Sequence, residues 1–437
     1  MPAAKSTRLS LIFILITVLI DVIGVGIIIP VLPHLIEELI ALRPNTEGTL
    51  AQAANWGGWI LFVYALMQFL FSPVLGNLSD RFGRRPVLLL SLLGLTVDYL
   101  LMGFAWSIWV LFVGRILSGI MGAAISTATA YIADISPKED RARNFGLIGA
   151  AFGLGLILGP VVGGQLGEFG SRVPFFAAAV LAFGNFIFGM FVLPESLPKR
   201  HRRRFELKRA NPLGALQSVR KVPFVLLFLV SLGLFTLANH VYPSIWTFFT
   251  IEQFDWTPGQ IGISLGVFGA MFALVQAVLI GPAMRILGEL WAGIVGLSFA
   301  AIGFFGLAFI GTPVGLYFFL VPGALGGLFV PAINGMMANR ISDRSQGELQ
   351  GAVNAVNSIA SILGPLAATQ LFSFFTASPR APTYFPGVPF FGAGILILAS
   401  IGILTYASIR LRQRGEHVNP PHEEVEAAEQ AKPPPQA

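Results

Sequence analysis

The apolar positions of this chain fall in long blocks. Runs of roughly 18–25 residues with few or no charges recur along its whole length, each long enough to cross a ~30 Å hydrocarbon core at about 1.5 Å per residue. Twelve of them are expected as helices: 9–32 (α1), 56–78 (α2), 87–105 (α3), 108–131 (α4), 145–167 (α5), 173–193 (α6), 223–248 (α7), 259–283 (α8), 290–310 (α9), 313–338 (α10), 349–373 (α11) and 387–409 (α12). The first run is too long for the apolar core of a signal peptide, and no small-residue cleavage site follows it, so it is expected to stay as a spanning helix.

The polar segments between the runs carry a one-sided charge. With the N-terminus inside, the inside loops hold 24 of the 28 Lys and Arg, and the outside loops hold only Arg43, Arg172 and Arg380. That asymmetry places both termini in the cytoplasm. The run "PKRHRRRFELKR" from Pro198 reads as a cytoplasmic linker held near anionic lipid, not as a nucleic-acid surface. After Arg414 the tail turns acidic and proline-rich, the composition of a disordered segment. The expected organisation is an N-terminal half at 1–198, a basic linker at 199–222, a C-terminal half at 223–412 and a tail at 413–437.

Composition supports the membrane reading. The chain has 437 residues, 55% hydrophobic and 11% charged, with a mean hydropathy of +0.75. A soluble domain is about 25% charged. Cysteine is absent, which excludes disulfides and thiolate metal sites. The five histidines, His34, His201, His240, His417 and His422, lack metal-ligand spacing, and "HEEVE" at His422 lacks the second histidine of a zinc-protease helix. No catalytic pair stands out, so an enzyme is not expected, and no cofactor or metal.

The linker separates six helices from six, and the halves repeat. Gly76 and Gly83 in "GNLSDRFGRRP" recur as Gly281 and Gly288, each 205 residues later. Gly146 and Gly159-Pro160 recur as Gly351 and Gly364-Pro365 at the same 205-residue spacing. Two parallel six-helix repeats are an architecture of secondary transporters. The copies are unequal, since Arg285 stands at the position of Asp80.

Three motifs carry specific physics. In the loop between α2 and α3, Gly76 and Gly83 permit tight turns, and Arg81, Arg84 and Arg85 hold the loop inside. Asp80 is placed to accept from helix N-termini or to pair with a nearby arginine, with Arg141 in the next inside loop as the favoured partner. In α5, Gly155, Gly159 and Gly163 lie four residues apart on one face, where small residues let helices approach closely, and Pro160 favours a kink.

A third pattern lies at mid-depth. Asp21 is about 18 Å above the cytoplasmic end of α1, Asp98 about 16 Å above that of α3, and Arg115 about 20 Å above the same face, with Gln68 and Asn185 at about 18 Å. Charges at such depth are expensive unless paired. Arg115 is expected to pair with Asp98 or Asp21. Either choice leaves one carboxylate over, cheaper to bury as the neutral acid, and so able to take up and release a proton. The pair can titrate as a unit, and the residues do not say which member carries the proton.

These motifs resemble the major facilitator superfamily. "GNLSDRFGRRP" matches its loop between the second and third helices, "RILSGIMGA" its fourth-helix motif, and "GLGLILGPVVGG" the fifth-helix motif of its antiporters. "DVIGVGIIIPVLP", "YALMQFLFSPVLG" and "SDRFGRRPVLLLSLLGLTVDYLL" are similar to the tetracycline/proton antiporters. The resemblance implies an all-α membrane protein of twelve helices in two six-helix pseudo-repeats, with the α2–α3 loop latching the halves on the cytoplasmic side in one state. It further implies a proton-coupled efflux antiporter of a bacterial-type cytoplasmic membrane, monomeric, with a small-molecule substrate, protons and the lipid bilayer as its partners. A metabolite exporter, facilitator or symporter of the same fold is the alternative.

One departure matters. Tetracycline antiporters are expected to carry a histidine in α8 and an aspartate in α9. Alignment through Gln276 and Gly296 puts Phe272 and Ala300 there, which counts against tetracycline itself and against a proton step through those positions. Phe235, Phe268, Phe272 and Phe304 suggest an apolar wall for a lipophilic or amphipathic ligand. His240, in the outer half of α7, and more weakly His34 at the outer end of α1, are the histidines that could titrate instead.

Overall fold

The structure is a computed structural model that describes residues 2–42, 48–122, 124–137, 139–203, 224–342, 345–377 and 380–414. Most of the expected linker, the tail beyond Arg414, and Arg43 lie outside the described residues.

Each expected run corresponds to a helix among the described residues. Eleven stretches are long and apolar enough to cross a membrane. One of them, Pro258–Ala308, has 51 residues and breaks at Gly288, whose φ of 71° and ψ of 164° are not helical. Its two parts bring the count to twelve. They are α1 (Pro2–Ile28), α2 (Leu50–Phe82), α3 (Arg84–Gly103), α4 (Ile108–Ile135), α5 (Arg141–Gly167), α6 (Val173–Val192) and α7 (Val225–Phe254). After them come α8 (258–287), α9 (289–308), α10 (Pro313–Ala338), α11 (Gln346–Ala377) and α12 (Val388–Gln413).

The sequence pattern missed one element. The apolar run of α1 was expected to reach residue 32, but the helix stops at Ile28, and a turn leads into a short helix, Leu32–Ala41. Leu32, Leu35, Ile36, Leu39 and Ile40 are buried on one of its faces. That stripe is helical in period but too short to span.

The chain divides into two compact units. The first holds Met1–Asn211, Pro243–Ala270 and Pro365–Tyr384, and the second holds Pro212–Tyr242, Met271–Gly364 and Phe385–Ala437. The dividing line therefore runs through α7, α8 and α11.

In the first unit a core of Phe13, Ile14, Val18, Leu88, Leu92, Tyr131 and Ile132 joins α1, α3 and α4. The expected small-residue face of α5 packs on α1. A methyl on Gly155 would sit 2.7 Å from Val22 Cβ, one on Gly159 2.8 Å from Gly26 Cα, and one on Gly163 2.2 Å from the Ile27 carbonyl. The helix continues through Pro160 without interruption. Its opposite face meets α8, with Gly164 against Gly262 and Ile157 against Gly269.

In the second unit α9 lies close to α10 through Gly303 and Gly323, and Ser231 of α7 bonds Ser400 of α12 (2.7 Å). Three helices are irregular: α7 breaks at His240, α8 has a π-helical segment at Val275–Leu279, and α10 a 3-10 segment at Gly326–Leu328.

The repeat is visible as shared contacts at the 205-residue spacing. Gly83 and Gly288 are the positive-φ joints (109° and 71°). Just after each joint a side chain reaches the end of the next helix but one: Arg84 to Asp134 (3.2 Å), and Glu289 to Asn339 (3.4 Å). Arg141 donates to the carbonyls of Ala133 and Ser136, and Gln346 donates to those of Ala338 and Ile341. The backbone need is the same in both copies. Its chemistry differs: an arginine on an aspartate in one copy, and a glutamate on an asparagine in the other.

Candidate functional site

The centre of the site is an ion pair. Arg115 Nη2 on α4 donates to Asp98 Oδ2 on α3, and the two residues are 7% and 0% exposed. The Ser118 hydroxyl also interacts with this carboxylate, whereas Asp98 Oδ1 and Arg115 Nε are buried without a partner. The carboxylate fits because Gly114 has no side chain: a methyl there would lie 2.8 Å from Oδ1. Of the two pairings open to the sequence, the structure forms the one with Asp98.

Tyr64 on α2 covers the guanidinium, with Arg115 Cζ 5.7 Å from its ring centroid. Such a contact contributes about 0.5–2 kcal/mol. Gly119 brings α2 this close, since a methyl there would sit 2.5 Å from the Tyr64 carbonyl. Gln68, one turn on, donates weakly to the Tyr64 hydroxyl (3.5 Å) and to the Gly122 carbonyl (3.4 Å). Gln68 thus touches the site through Tyr64.

Asp21 stands apart. It forms no ion pair among the described residues, and its Oδ1 is buried without a partner. Tyr99 on α3 packs its hydroxyl against Gly24 on α1, where a methyl would lie 2.2 Å away. Tyr64 and Tyr99 both lie within electrostatic reach of Asp98, Asp21 and Arg115. Asn185 belongs to another seam: its Oδ1 accepts from Thr17 of α1 (3.5 Å), and its Nδ2 is unpartnered. The five residues expected at one level therefore separate into a bonded pair, an attached glutamine, Asp21 on α1, and Asn185 on α6 bonded to Thr17 of α1. The tyrosines were missed because an aromatic ring in an apolar run reads as packing. The available signal was their rarity, seven tyrosines against 38 phenylalanines.

On the side of the basic linker, Arg84 is a hub. It is 9% exposed and pairs with Asp80 (2.7 Å) and Asp134 (3.2 Å), while its Nη1 donates to Ser79 Oγ. The expected partner of Asp80, Arg141, is occupied with the carbonyls at the end of α4. Arg84 takes its place because it lies four residues on, just past the Gly83 joint. Arg85 donates to the Met190 carbonyl (2.6 Å), and Arg81 stacks on Phe82. Gly76 was read as a turn glycine, but it sits inside α2, with open space around it.

Gly83 is the required glycine. Its φ is 109°, and a Cβ there would come within 2.1 Å of Glu195 Oε2, the carboxylate that also accepts from the Arg84 amide (2.8 Å). Gly83→Ala is expected to cost about 2 kcal/mol from the backbone strain and clash, lowering Tm in detergent by several degrees. Gly76→Ala is expected to leave Tm in place. Equal shifts in a paired thermal-unfolding experiment would contradict this reading.

On the opposite side the first unit carries three closed seams. Thr247 of α7 donates to the Ile29 carbonyl after α1 (3.0 Å). Asn55 of α2 donates to Gln370 of α11 (3.0 Å), and Gln370 donates back to the Asn55 carbonyl (3.3 Å). Gly164 of α5 meets Gly262 of α8.

The expected apolar wall is only partly a wall. Phe235 and Phe304 are core residues at 6% and 1% exposure, with rings tilted against those of Phe329 and Tyr242. Phe272, 39% exposed, lies against Gly327 of the 3-10 segment. His240 is at mid-length of α7, not in its outer half, because α7 continues to Phe254; its Cβ packs on Gly364. Ala300 is 3% exposed and abuts Gly326, which leaves no room for a larger side chain. Among the described residues no group of His, Asp and Glu is arranged to hold a metal.

The family profile described as Major Facilitator Superfamily matches residues 14–365 and 239–435. The chain is 42% identical over 364 residues to the class C tetracycline resistance protein of Escherichia coli, covering 83% of this chain and 90% of that one. It is 29% identical over 408 residues to multidrug resistance protein 2 of Bacillus subtilis (strain 168), covering 90% and 93%. Among solved structures, a bacterial homolog of the human lysosomal transporter Spinster, in an inward-facing and occupied conformation, superposes with a TM-score of 0.73 at 16% identity, covering 91% and 96%. That last likeness concerns the fold alone.

Proposed function

The chain belongs to the major facilitator superfamily, as a multi-pass membrane transporter of small molecules, and on that footing we propose how it works. It exports a drug-like, amphipathic molecule across a bacterial-type cytoplasmic membrane in exchange for protons. Both termini and the linker at 199–222 face the cytoplasm, between an N-terminal half at 1–198 and a C-terminal half at 223–412. The distribution of Lys and Arg supports that orientation. In this reading the chain works by alternating access, and the Thr247–Ile29, Asn55–Gln370 and Gly164–Gly262 contacts are closed on the side away from the linker.

The observation that carries the proton step is the imbalance at Arg115. One guanidinium is paired with Asp98, and Asp21 is left with a buried, unpartnered oxygen. A carboxylate without a partner in an apolar interior is cheapest as the neutral acid. Asp21 is therefore the proton carrier in this reading, and Asp98–Arg115 the fixed element against which it works. Tetracycline-type molecules are within the substrate class by kinship, but Phe272 and Ala300 favour a less polar cargo.

The test is a substrate panel in everted vesicles with a pH-sensitive dye, where inside-out orientation turns export into uptake. Addition of a transported amphipathic compound is expected to release protons from an acidified lumen. A panel spanning tetracyclines, lipophilic cations and neutral lipophiles that moves no protons, while the protein is present and folded, would remove proton antiport from the reading.

A further inference from the structure

The N-terminus of α8 is tied down from outside its own helix. Thr257 is its cap residue and Gln260 lies three positions on. The Gln260 amide donates to Thr257 Oγ1 (3.5 Å), and Gln260 Oε1 accepts from the Thr257 amide (3.0 Å). This reciprocal pair satisfies two donors and leaves the Gly259 amide over. Glu168, the first residue past the end of α5, takes it: the Gly259 N–H donates to Glu168 Oε1 at 2.7 Å, and the Thr257 side chain bonds the same carboxylate.

We propose that Glu168 is a positioning residue for transport, a charged latch that holds α8 against α5 on the side away from the linker and must release before that side opens. It rests on the alternating-access reading above.

Two observations support the assignment. First, the contact sits at the end of a close seam, where Gly164 and Gly262 let the two backbones meet and a methyl on Gly164 would lie 2.3 Å from the Pro258 carbonyl. Second, the repeat supplies a neutral counterpart. At the 205-residue spacing Gly164 corresponds to Thr369 and Glu168 to Ser373. The α2–α11 seam is accordingly closed by the Asn55–Gln370 amide pair without a carboxylate. Only one of the two related seams depends on charge.

The sign of the pH effect follows. The bonds from Thr257 and Gly259, and then the nearby His34, hold the Glu168 carboxyl below its ordinary value of 4.5. Its contribution is therefore complete above the ordinary carboxylate range and is lost as pH falls through the lowered value. At neutral pH the latch stays charged, which separates it from the proton-carrying step. The other charged groups around it are Glu37, bonded to His34 (3.5 Å), and Glu38, which pairs with Arg172 (3.8 Å) and accepts from Ser171 (2.7 Å).

The chain has no cysteine, so spin labels can be placed on Phe169→Cys and Ile263→Cys, two exposed positions on the α5 and α8 sides of the contact. Distances are read by pulsed electron resonance in lipid nanodiscs from about pH 7 down to about pH 3, well below the ordinary carboxylate value of 4.5. The parent pair is expected to hold the short distance at pH 7 and to gain a longer one in acid. Glu168→Gln is expected to raise the long-distance fraction roughly three- to tenfold at pH 7 and to abolish the acid response. Gln370→Ala, which weakens the neutral seam, is expected to shift the population but keep the acid response. A Glu168→Gln protein with the parent's distances and acid response overturns the proposal, as does loss of the response in Gln370→Ala alone. The measurement needs no transport, so absence of proton flux in vesicles would count against the antiport reading and not against the latch.

Discussion

Asp98→Asn is expected to abolish proton-coupled transport in everted vesicles while the protein still inserts. Removing one partner of a buried ion pair costs about 3–5 kcal/mol, because the other charge is left without compensation. Here that charge is the Arg115 guanidinium, whose remaining cover is the Tyr64 ring at 5.7 Å. Asn keeps the shape of the carboxylate and the fit beside Gly114, so the change is one of charge. The double variant Asp98→Asn/Arg115→Gln is expected to recover most of the lost Tm, because no charge then remains unpaired. It is expected to stay inactive. The measurements are thermal unfolding of the four proteins in detergent and proton release from the vesicles. Intact coupling in Asp98→Asn would end the reading of this pair as essential. A double variant no more stable than Asp98→Asn would mean that the pair does not set the energetics of the site.

Asp21→Asn is expected to lose proton coupling just as fully, with the opposite thermodynamic signature. Its buried Oδ1 has no partner to lose, so Tm is expected to stay or to rise by a few degrees. Downhill substrate exchange, which needs no net proton movement, is expected to persist in Asp21→Asn. Substrate counterflow and proton release measured in the same vesicles separate the two functions. A fall in Tm as large as that of Asp98→Asn would show that Asp21 has a structural partner, and retained proton release would show that the carrier is another group.

The fold was legible because apolar block length translates directly into helix length, and no soluble architecture competes at this composition. The short helix Leu32–Ala41 escaped because its stripe was fused to a spanning run. The site was half legible. Charges in an apolar run stand out, and Asp98 and Arg115 were found that way. Depth along a helix says nothing about the direction in which a side chain points around it. For this reason the pairing of Arg115 could not be decided, Asn185 was grouped with residues it does not touch, and Phe235 and Phe304 were read as lining when they are core. The partner of Asp80 was misread for a related reason: Arg84 is four residues away across a glycine joint, and only the geometry of Gly83 shows that the helical spacing survives the break.

The joints at Gly83 and Gly288 are single residues, too short to absorb relative motion between the helices they connect. Each of the pairs α2–α3 and α8–α9 is thus constrained at its joint. Compliance must come from inside helices, and the described interruptions fall in α7, α8 and α10, at His240, 275–279 and 326–328. Such segments often mark hinges. By contrast α2, α3, α5 and α6 run unbroken. The buried Asp98 is thus mounted on an unbroken helix, while the described irregularities that could take up bending lie in helices of the other repeat.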